Sequence, residues 1–174
     1  MKTIRLTQGK TALVDDSMFD FINQWKWFAH KASTNVFHAR RTSWNKTTKK
    51  HEVILMHRLI MGATSPDIFI DHKDQNGLNN QVSNLRICSH QQNCKNRRSV
   101  RGSSSKFLGV HFSKAANKWK AEICVNGKNK YLGLFTNEYD AAIAYNRAAT
   151  EHHGEYANLN IVHSEMPWCR PVRN

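Results

Sequence analysis

The sequence has little acid, little proline and no long apolar run. Its 174 residues hold only 13 Asp and Glu against 26 Lys and Arg, and three prolines. No apolar stretch approaches the roughly 20 residues that a membrane-spanning helix needs. The sequence turns polar almost directly after Met1, so it shows no apolar segment of the kind that a signal peptide has. We therefore expect a cytoplasmic protein that is neither membrane-bound nor secreted.

Closely spaced cysteine pairs are also missing. None of the four cysteines belongs to a Cys-x-x-Cys pair, which is the spacing typical of structural zinc sites. We therefore expect no structural zinc, and we interpret four residues as free thiols of a reducing cytosol: Cys88, Cys94, Cys124 and Cys169.

The excess of positive charge indicates a polyanionic partner. The net charge is +13 and the isoelectric point is near 9.9, which favours nucleic acid or an anionic membrane surface. No long amphipathic helix with a basic face supports the membrane. Between Lys95 and Lys130, ten Lys or Arg accompany a single acid, Glu122. A solvated face would explain such a run, but its span across several predicted segments favours contact with DNA.

The N-terminal part predicts two hairpins and a short helix. Residues 3–14 alternate apolar and polar side chains about a Gln-Gly-Lys turn, and residues 28–41 repeat the pattern. Asp15 and its polar neighbours are typical of a helix start. Residues 53–61 form the most apolar run of the chain and predict a buried strand that leads into a short helix. His57 within this run is either a core histidine with satisfied hydrogen bonds or a ligand.

Aromatic and basic side chains of this part have two interpretations each. Trp25, Trp27 and Phe28 could stack on bases, but their spacing favours packing in the core. Arg40 and Arg41 follow an alternating strand pattern and could contact a DNA backbone or lie on a solvated face.

One stretch combines several residue types that catalysis uses. A short strand ends on Asp71 and His72, and a turn-rich polar loop follows. Residues 85–88 predict a second strand. A Ser-x-x-Gln capping box at Ser89 then starts a helix that carries Asn93.

These residues suit hydrolysis of a phosphodiester, which needs an activated water and charge neutralisation on the phosphoryl oxygens. Mg²⁺ prefers oxygen ligands and retained waters, so the Asp71 carboxylate and the Asn93 amide oxygen are candidate ligands. A neutral His72 can take a proton from water near pH 7. Because neighbouring side chains of a strand point to opposite faces, a bend is needed to bring Asp71 and His72 to one site.

The order of these motifs resembles the HNH endonuclease family, and specifically its phage and intron homing members. The matching pieces are Met56-His57-Arg58-Leu59, Asp71-His72-Lys73-Asp74, Asn79-Asn80, Asn84-Leu85-Arg86 and Gln92-Asn93-Cys94-Lys95-Asn96. The resemblance implies the ββα-metal fold and a hydrolase that uses Mg²⁺ or Mn²⁺ to cut double-stranded DNA, in a bacterial or phage-infected host cytoplasm. It implies no small-molecule cofactor.

The same resemblance implies a role for each matched side chain. His72 corresponds to the general base, and Asp71 and Asn93 correspond to the metal ligands. Asn84 corresponds to a structural clamp on the loop. Asn96 is a further family-like position whose role the resemblance leaves open.

Residues 106–160 predict a separate sheet. Strands are expected over 107–112, 118–125 and 130–135, and the last two are joined by an Asn-Gly turn, the strongest two-residue hairpin signal. Thr136 is expected to cap a helix whose small-residue face can lie close on the sheet.

This part is similar to the plant Apetala/ethylene-response-factor DNA-binding domain, which lays its sheet in the major groove. The matching residues are Gly109-Val110, 118–123, 131–135, Ala141-Ala142, Ala144-Tyr145, Ala148-Ala149, Gly154 and Leu159-Asn160. The resemblance implies that the DNA-facing residues are His111, Lys118, Lys120, Glu122 and Tyr131, with Lys128 and Lys130 near phosphates. Strand alternation independently puts three of these residues, Lys118, Lys120 and Glu122, on the face away from the core. Since lysine lacks the bidentate fork of arginine, phosphate affinity should dominate over sequence discrimination.

The predicted organisation is α+β. A β-rich N-terminal region and the nuclease core (about 52–98) fill residues 1–98, and a Ser-rich linker over 99–105 leads to the sheet domain. That domain, a three-stranded antiparallel sheet packed on one helix, is followed by a tail over 161–174. Weaker candidates for backbone contacts are Arg97, Arg98 and Arg101. We expect a monomer that nicks one strand, and cutting both strands would need a dimer or two events.

Two other functions compete with a nuclease. The first is a DNA-binding regulator with an inactive nuclease core, which would bind DNA without cutting it. The second is an RNA-binding or structural nucleoprotein, which would show no preference for duplex DNA.

Overall fold

The computed structural model describes residues 1–33, 36–96 and 102–162. The chain divides into two compact units, Met1–Asn96 (unit 1) and Arg97–Asn174 (unit 2). It is a mixed fold of several small antiparallel sheets and few helices, as the sequence predicts. Arg97, Arg98, Arg101 and most of the tail lie outside the described residues, so the predicted linker and domain limits stay predictions.

Unit 1 is built from seven strands, paired as β1–β2, β3–β4–β5 and β6–β7, and three short helices. Their bounds are β1 (Lys2–Arg5), β2 (Thr11–Val14), α1 (Asp16–Ile22), β3 (Phe28–Ser33), β4 (Val36–Asn45), β5 (Lys50–Leu55), α2 (Met56–Ile60), β6 (Phe69–His72), β7 (Leu85–Cys88) and α3 (His90–Lys95). Both predicted N-terminal hairpins are present, as β1–β2 and β3–β4.

The core of unit 1 forms where β1, β2, α1 and α2 meet. Ile4, Val14, Ile22, Trp27 and Met56 are buried in one apolar cluster. The Trp27 indole nitrogen donates a hydrogen bond to the Ile22 carbonyl at 2.9 Å, so its polar atom is satisfied inside the core. Packing in the core is therefore confirmed for Trp27.

The two arginines of β4 stack on aromatic rings. The Arg41 guanidinium lies 4.3 Å from the centroid of the Trp25 ring, and the Arg40 guanidinium lies 5.1 Å from that of Phe28. Burial lowers the pKa of Arg41. Cation–π contact with the aromatic cluster is thus a role for both side chains that neither sequence interpretation included.

The apolar run at 53–61 differs from its prediction. β5 is an edge strand of its sheet, and Val53 is 56% exposed, so this strand is not buried. The chain becomes buried only at Met56 in α2, which then ends near Gly62 in the left-handed region (φ 63°). Hydrophobicity alone could not distinguish an edge strand from an inner one.

Helix α1 begins directly after Asp15, as the helix-start interpretation predicts, but the Asp15 side chain makes no capping hydrogen bond to the helix. Its carboxylate accepts hydrogen bonds from the Val82 amide at 2.8 Å and from the Gln81 side chain at 3.4 Å. The Leu13 amide donates to Leu78, and the Asn80 amide donates to Leu13, both at 2.8 Å. The N-terminal hairpin is therefore bonded directly to the loop that follows β6.

Unit 2 is a three-stranded antiparallel sheet with one helix packed on it. The elements are β8 (Val110–Ser113), β9 (Lys118–Val125), β10 (Lys128–Phe135) and α4 (Glu138–His153), with β9 in the centre of the sheet. Asn126 and Gly127 both have positive φ between β9 and β10, as an Asn-Gly hairpin turn requires. Buried alanines on α4 allow close approach to the sheet. Among the described residues, no helix is long and apolar enough to cross a membrane.

Several boundaries of unit 2 differ from the prediction, and β10 begins at Lys128 and not at residue 130. Helix α4 is capped by Asn137, whose side chain accepts from the Tyr139 amide at 2.8 Å, and not by Thr136. The first strand begins at Val110 because Gly109 adopts φ 67°, where an added Cβ would overlap the Tyr145 ring. That conformation strains any residue other than glycine and interrupts the strand.

Candidate functional site

The site is framed by the β6–β7 hairpin and by α3, which packs against both strands. The predicted capping box is present, since Ser89 Oγ accepts from the Gln92 amide at 3.2 Å and the Gln92 side chain accepts from the Ser89 amide at 2.7 Å. This cap starts α3 directly after β7 and fixes the angle at which the helix crosses the hairpin.

Asp71 is buried in an ion pair with its cross-strand partner. Arg86 pairs with Asp71 in the β6–β7 register, and its Nε and Nη2 donate to Asp71 Oδ2 at 2.8 and 2.6 Å. Asn96 Nδ2 lies 3.0 Å from both carboxylate oxygens and 2.9 Å from the carbonyl oxygen of His72. Within the described part of the chain, Oδ2 accepts from Arg86 and Asn96 and Oδ1 accepts from Asn96 alone, which leaves acceptor capacity on Oδ1.

The two asparagines of the α3 segment have different surroundings. Among the described residues, the hydrogen bonds to the Asp71 carboxylate come from Arg86 and Asn96, and none comes from the half-buried Asn93. Gln75 donates to Asn96 Oδ1 at 3.1 Å and so orients its amide toward Asp71. The structure therefore joins Asp71 to Asn96 by hydrogen bonds, and the role of Asn93 as a metal ligand stays a prediction.

His72 points away from Asp71 into a cluster of histidines. The Nε2 atom of His72 lies 3.4 Å from Asn80 Oδ1, and Asn80 Nδ2 donates to the Leu78 carbonyl at 3.2 Å. The second bond orients the amide so that its oxygen accepts from His72 Nε2–H. The Nδ1 atom of His72 then keeps its lone pair.

The surroundings of His72 keep its ring neutral. Burial lowers the pKa of His72, and the hydrogen bond to Asn80 and the carboxylates of Asp74 and Asp71 offset this in part. A neutral imidazole can accept a proton, which is the property that a general base needs.

Two further histidines meet His72. The ring centroids lie 5.3 Å apart for His38 and His57, 5.6 Å for His38 and His72, and 5.0 Å for His57 and His72. Burial, followed by the charges of neighbouring groups, lowers the pKa of His38 to about 4 and that of His57 to about 3. The Nδ1 atoms of His38 and His57 are buried and have no hydrogen-bond partner among the described residues. His57 is thus a buried histidine, as expected, but not a satisfied one.

Contacts of the neighbouring residues Arg58 and Gly77 fix the chain segments around the three histidines. In α2, Arg58 follows His57 and donates to the carbonyls of Ile68 at 2.7 Å and Ala63 at 3.1 Å, which fixes the loop leading into β6. On the other side, the loop after β6 closes over His38. A Cβ added at Gly77 would overlap the His38 ring and the Phe37 carbonyl, so this close approach requires glycine.

Asn84 bridges the loop after β6. Its Oδ1 accepts from the Asp74 amide at 3.1 Å, and its Nδ2 donates to Asp74 Oδ1 at 2.9 Å and to the Asn79 carbonyl at 2.8 Å. Burial raises the pKa of Asp74, but hydrogen bonds from Asn79, Asn76 and Asn84 outweigh it, and the pKa is lowered overall. Asn84 therefore makes the contacts that a clamp requires.

The outer face of the unit 2 sheet brings several predicted DNA-facing residues together. Lys120 Nζ lies 2.7 Å from Glu122 Oε2, and His111 Nδ1 lies 3.8 Å from Glu122 Oε1. Tyr131 pairs with Glu122 across β9–β10 and is exposed, and Lys118 is exposed at the start of β9. Because opposite residues of a sheet share a face, these side chains lie away from α4.

Lys128 and Lys130 lie on the other face of that sheet. Lys130 pairs with the buried Ile123, and its Nζ lies 3.0 Å from His152 Nε2 of α4. Lys128 pairs with Val125, which packs under α4. The structure thus separates these two lysines from the residues around Glu122.

Sequence reasoning did not identify every residue of this site. His38 comes from β4, far from His72 in the chain, and no local pattern connects the two. Asn80 belongs to a matching piece of the family resemblance, but its contact with His72 was not predicted. The pairing of Asp71 with Arg86 follows from the hairpin register, so counting the strand pairs could have found it.

Comparisons with known proteins match the part of the chain that forms this site. A family model described as HNH endonuclease matches residues 55–95. The chain is 31% identical over 155 residues to "Uncharacterized HNH endonuclease L560" of Acanthamoeba polyphaga mimivirus, covering 89% of this chain and 77% of that protein. It is also 29% identical over 91 residues to "Protein 3.8" of Escherichia phage T7, covering 52% of this chain and 74% of that protein.

A different relative matches elsewhere. The AP2-like ethylene-responsive transcription factor TOE2 of Arabidopsis thaliana is 41% identical over 68 residues, which is 39% of this chain but only 14% of that protein. The likeness therefore concerns one domain. The family model at the β6–β7–α3 site and the mimivirus relative that spans most of the chain together place this nuclease in the HNH endonuclease family.

Proposed function

We propose that this nuclease is a divalent-metal-dependent endonuclease of the homing type that hydrolyses phosphodiester bonds in double-stranded DNA and nicks one strand per active site. The observation that carries the proposal is the environment of His72. Its ring is buried and neutral, and Nε2 is held by Asn80, which leaves the lone pair on Nδ1. We assign Nδ1 of His72 as the atom that takes the proton from the attacking water.

Asp71 is the proposed ligand for Mg²⁺ or Mn²⁺. Its carboxylate is a hard oxygen donor, and Oδ1 retains acceptor capacity while Arg86 and Asn96 hold Oδ2, so the residues present fit such an ion. When bound, the ion supplies charge neutralisation on the phosphoryl group and help for the departing oxygen. Asn93, at the family position for the second ligand, is the proposed second oxygen donor, and it lies in α3, which packs against β6.

Arg86 and Asn84 have supporting roles in this proposal. Arg86 neutralises and aims the Asp71 carboxylate, because removing one member of a buried ion pair leaves an uncompensated charge. Asn84 braces the loop that places Asn80 against His72. Neither side chain is assigned to the reacting atoms.

The unit 2 sheet is the proposed second DNA-binding element. Its similarity to an AP2-like factor and its exposed outer face with Lys118, Lys120, His111 and Tyr131 support contact with the DNA duplex. A tethered second module raises the local concentration of DNA at the nuclease site. Binding energy at a distance from the cut is what a homing nuclease needs to select a site, and we propose that the protein acts as a monomer.

The test is nicking of a supercoiled plasmid library by the full chain. Wild type and His72→Ala are each incubated with Mg²⁺, with Mn²⁺ and with chelator, and His51→Ala, an exposed histidine of β5, serves as the matched control. We expect open-circle product from wild type and His51→Ala only with metal, and a loss of about 10²- to 10⁴-fold for His72→Ala. Tight duplex binding without cleavage under every condition would instead favour the DNA-binding regulator.

A further inference from the structure

We infer that His38, His57 and His72 form a second metal site, distinct from that of Asp71, which binds one transition-metal ion of the zinc class. Occupancy of this site would hold the His72 ring and switch the nuclease off. Metal binding rests on the geometry of the cluster alone. The consequence for cleavage rests on the proposed role of His72.

The spacing of the three rings matches tetrahedral coordination. A metal–nitrogen bond of about 2.0–2.1 Å and a ring radius of about 1.1 Å at tetrahedral angles place neighbouring imidazole centroids about 5 Å apart. The observed centroid separations are 5.0, 5.3 and 5.6 Å. One ring nitrogen of each histidine lies within 4.8 Å of the others, so modest rotations of the rings would bring the three nitrogens onto one ion.

The nitrogens of the cluster have lone pairs to offer. The Nδ1 atoms of His38 and His57 are buried, and no described residue gives them a hydrogen-bond partner. Leaving such atoms unpaired in the interior is costly, and a ligand is one way to satisfy them. His72 uses Nε2 for Asn80, which leaves its Nδ1. The low pKa values of His38 and His57 keep both rings in the neutral form that binds metal.

The ligand type separates this site from the proposed catalytic one. Three imidazoles suit Zn²⁺, Co²⁺, Ni²⁺ or Cu²⁺, whereas Mg²⁺ and Mn²⁺ favour carboxylate and water oxygens. Asp71 and His72 are neighbours in β6, so their side chains leave the strand on opposite faces. Asp71 contacts Arg86 and Asn96, and His72 contacts His38 and His57. An ion on the histidines therefore need not compete with Mg²⁺ for Asp71.

This inference changes the expectation of no structural zinc. That expectation rested on the absence of paired cysteines, which supply most structural zinc sites. Three histidines leave the fourth position of a tetrahedral ion for water, the arrangement of an open site. Half-buried His38 gives the cluster one side nearer the surface. The sequence did not suggest the site because His38 lies outside the stretch that resembles the nuclease family.

The first experiment measures metal binding without DNA. Co²⁺ is added to the chelator-treated full chain, and the visible absorption of tetrahedral Co²⁺ is followed by displacement with Zn²⁺. We expect one ion per chain for wild type and for the control His51→Gln. We expect affinity to fall more than about 100-fold in His57→Gln and His38→Gln, since loss of an outer partner alone costs about 10- to 100-fold. Circular dichroism shows whether each variant is folded. Because two variants are tested, a folding defect in either His57→Gln or His38→Gln leaves the other to decide the result.

The second experiment links the site to cleavage. Nicking in Mg²⁺ is measured for each protein with and without stoichiometric Zn²⁺, and the ratio of the two rates is compared. We expect strong inhibition of wild type and His51→Gln, and a ratio near one for His57→Gln. Wild type that binds no Co²⁺, or binding that survives in both His57→Gln and His38→Gln, overturns the site. Binding by wild type in a protein that never cleaves DNA supports the site and overturns the proposed function.

Discussion

The histidine cluster should make the metal-free protein sensitive to acid. The pKa of His38 is lowered to about 4 and that of His57 to about 3, so both rings stay neutral in the folded chain at pH 5. In the unfolded chain both have the ordinary pKa of 6.5 and are protonated at pH 5. The folded state then binds fewer protons than the unfolded state. Stability is therefore complete above pH 6.5 and is lost as the pH falls toward 4.

The size of the effect follows from the two pKa values. One pKa unit corresponds to about 1.4 kcal/mol, and pH 5 lies about 1.5 units below the ordinary value, so each histidine lowers the free energy of unfolding by about 2 kcal/mol. The groups that face His57 are His72, His38 and Arg58, and those that face His38 are His72 and His30. All of them disfavour a further positive charge.

The assay is urea unfolding at pH 7 and pH 5 in chelator. Trp25, Trp27 and Trp44 report on unit 1 by fluorescence. We expect His57→Gln to lose about 2 kcal/mol less than wild type between the two pH values, because glutamine takes up no proton. The control His51→Gln, at an exposed position, should follow wild type. Equal losses for wild type and His57→Gln would refute the reasoning.

Three further predictions concern other parts of the molecule. Gly109→Ala should unfold unit 2 at a markedly lower temperature than Gly127→Ala, since both have positive φ but only the first places a Cβ on the Tyr145 ring; equal melting shifts would remove the steric explanation. Asn84→Ala should lower the free energy of unfolding by about 2–3 kcal/mol, because it leaves Asp74 without two hydrogen bonds, and urea unfolding with the full chain tests this. The logarithm of the DNA association constant should fall linearly with that of salt, with a slope of about −0.9 per phosphate contacted, and a flat dependence would contradict phosphate-dominated binding.

Features with local causes could be predicted from the sequence. The Asn126-Gly127 turn, the Ser89 capping box and the limits of β9 depend on residues a few positions apart, and the structure has them as expected. The N-cap of α4 moved from Thr136 to Asn137 because both residue types cap helices well. Residue type alone therefore does not decide which of two neighbouring capping residues takes the N-cap position.

Features with distant causes could not be predicted. Exposure of β5 depends on its place at the edge of a sheet, which the order of strands decides and hydrophobicity does not. Asp15 resembles a helix cap in sequence, but its carboxylate reaches the loop at Val82, 67 residues later. The Asp71–His72 pair belongs to both classes. The sequence identified the two residues and their opposite directions, but not the partners that each meets.

The opposite directions of these two side chains indicate how the site divides its tasks. On one face of β6, Arg86 and Asn96 hold and orient the carboxylate of Asp71. On the other face, His72 depends on Asn80 and on His38 of β4. The N-terminal sheet therefore contributes a side chain to the surroundings of the proposed base and is part of the nuclease unit. Substitutions on the β4 side should thus change the behaviour of the base while leaving Mg²⁺ affinity at Asp71 nearly unchanged.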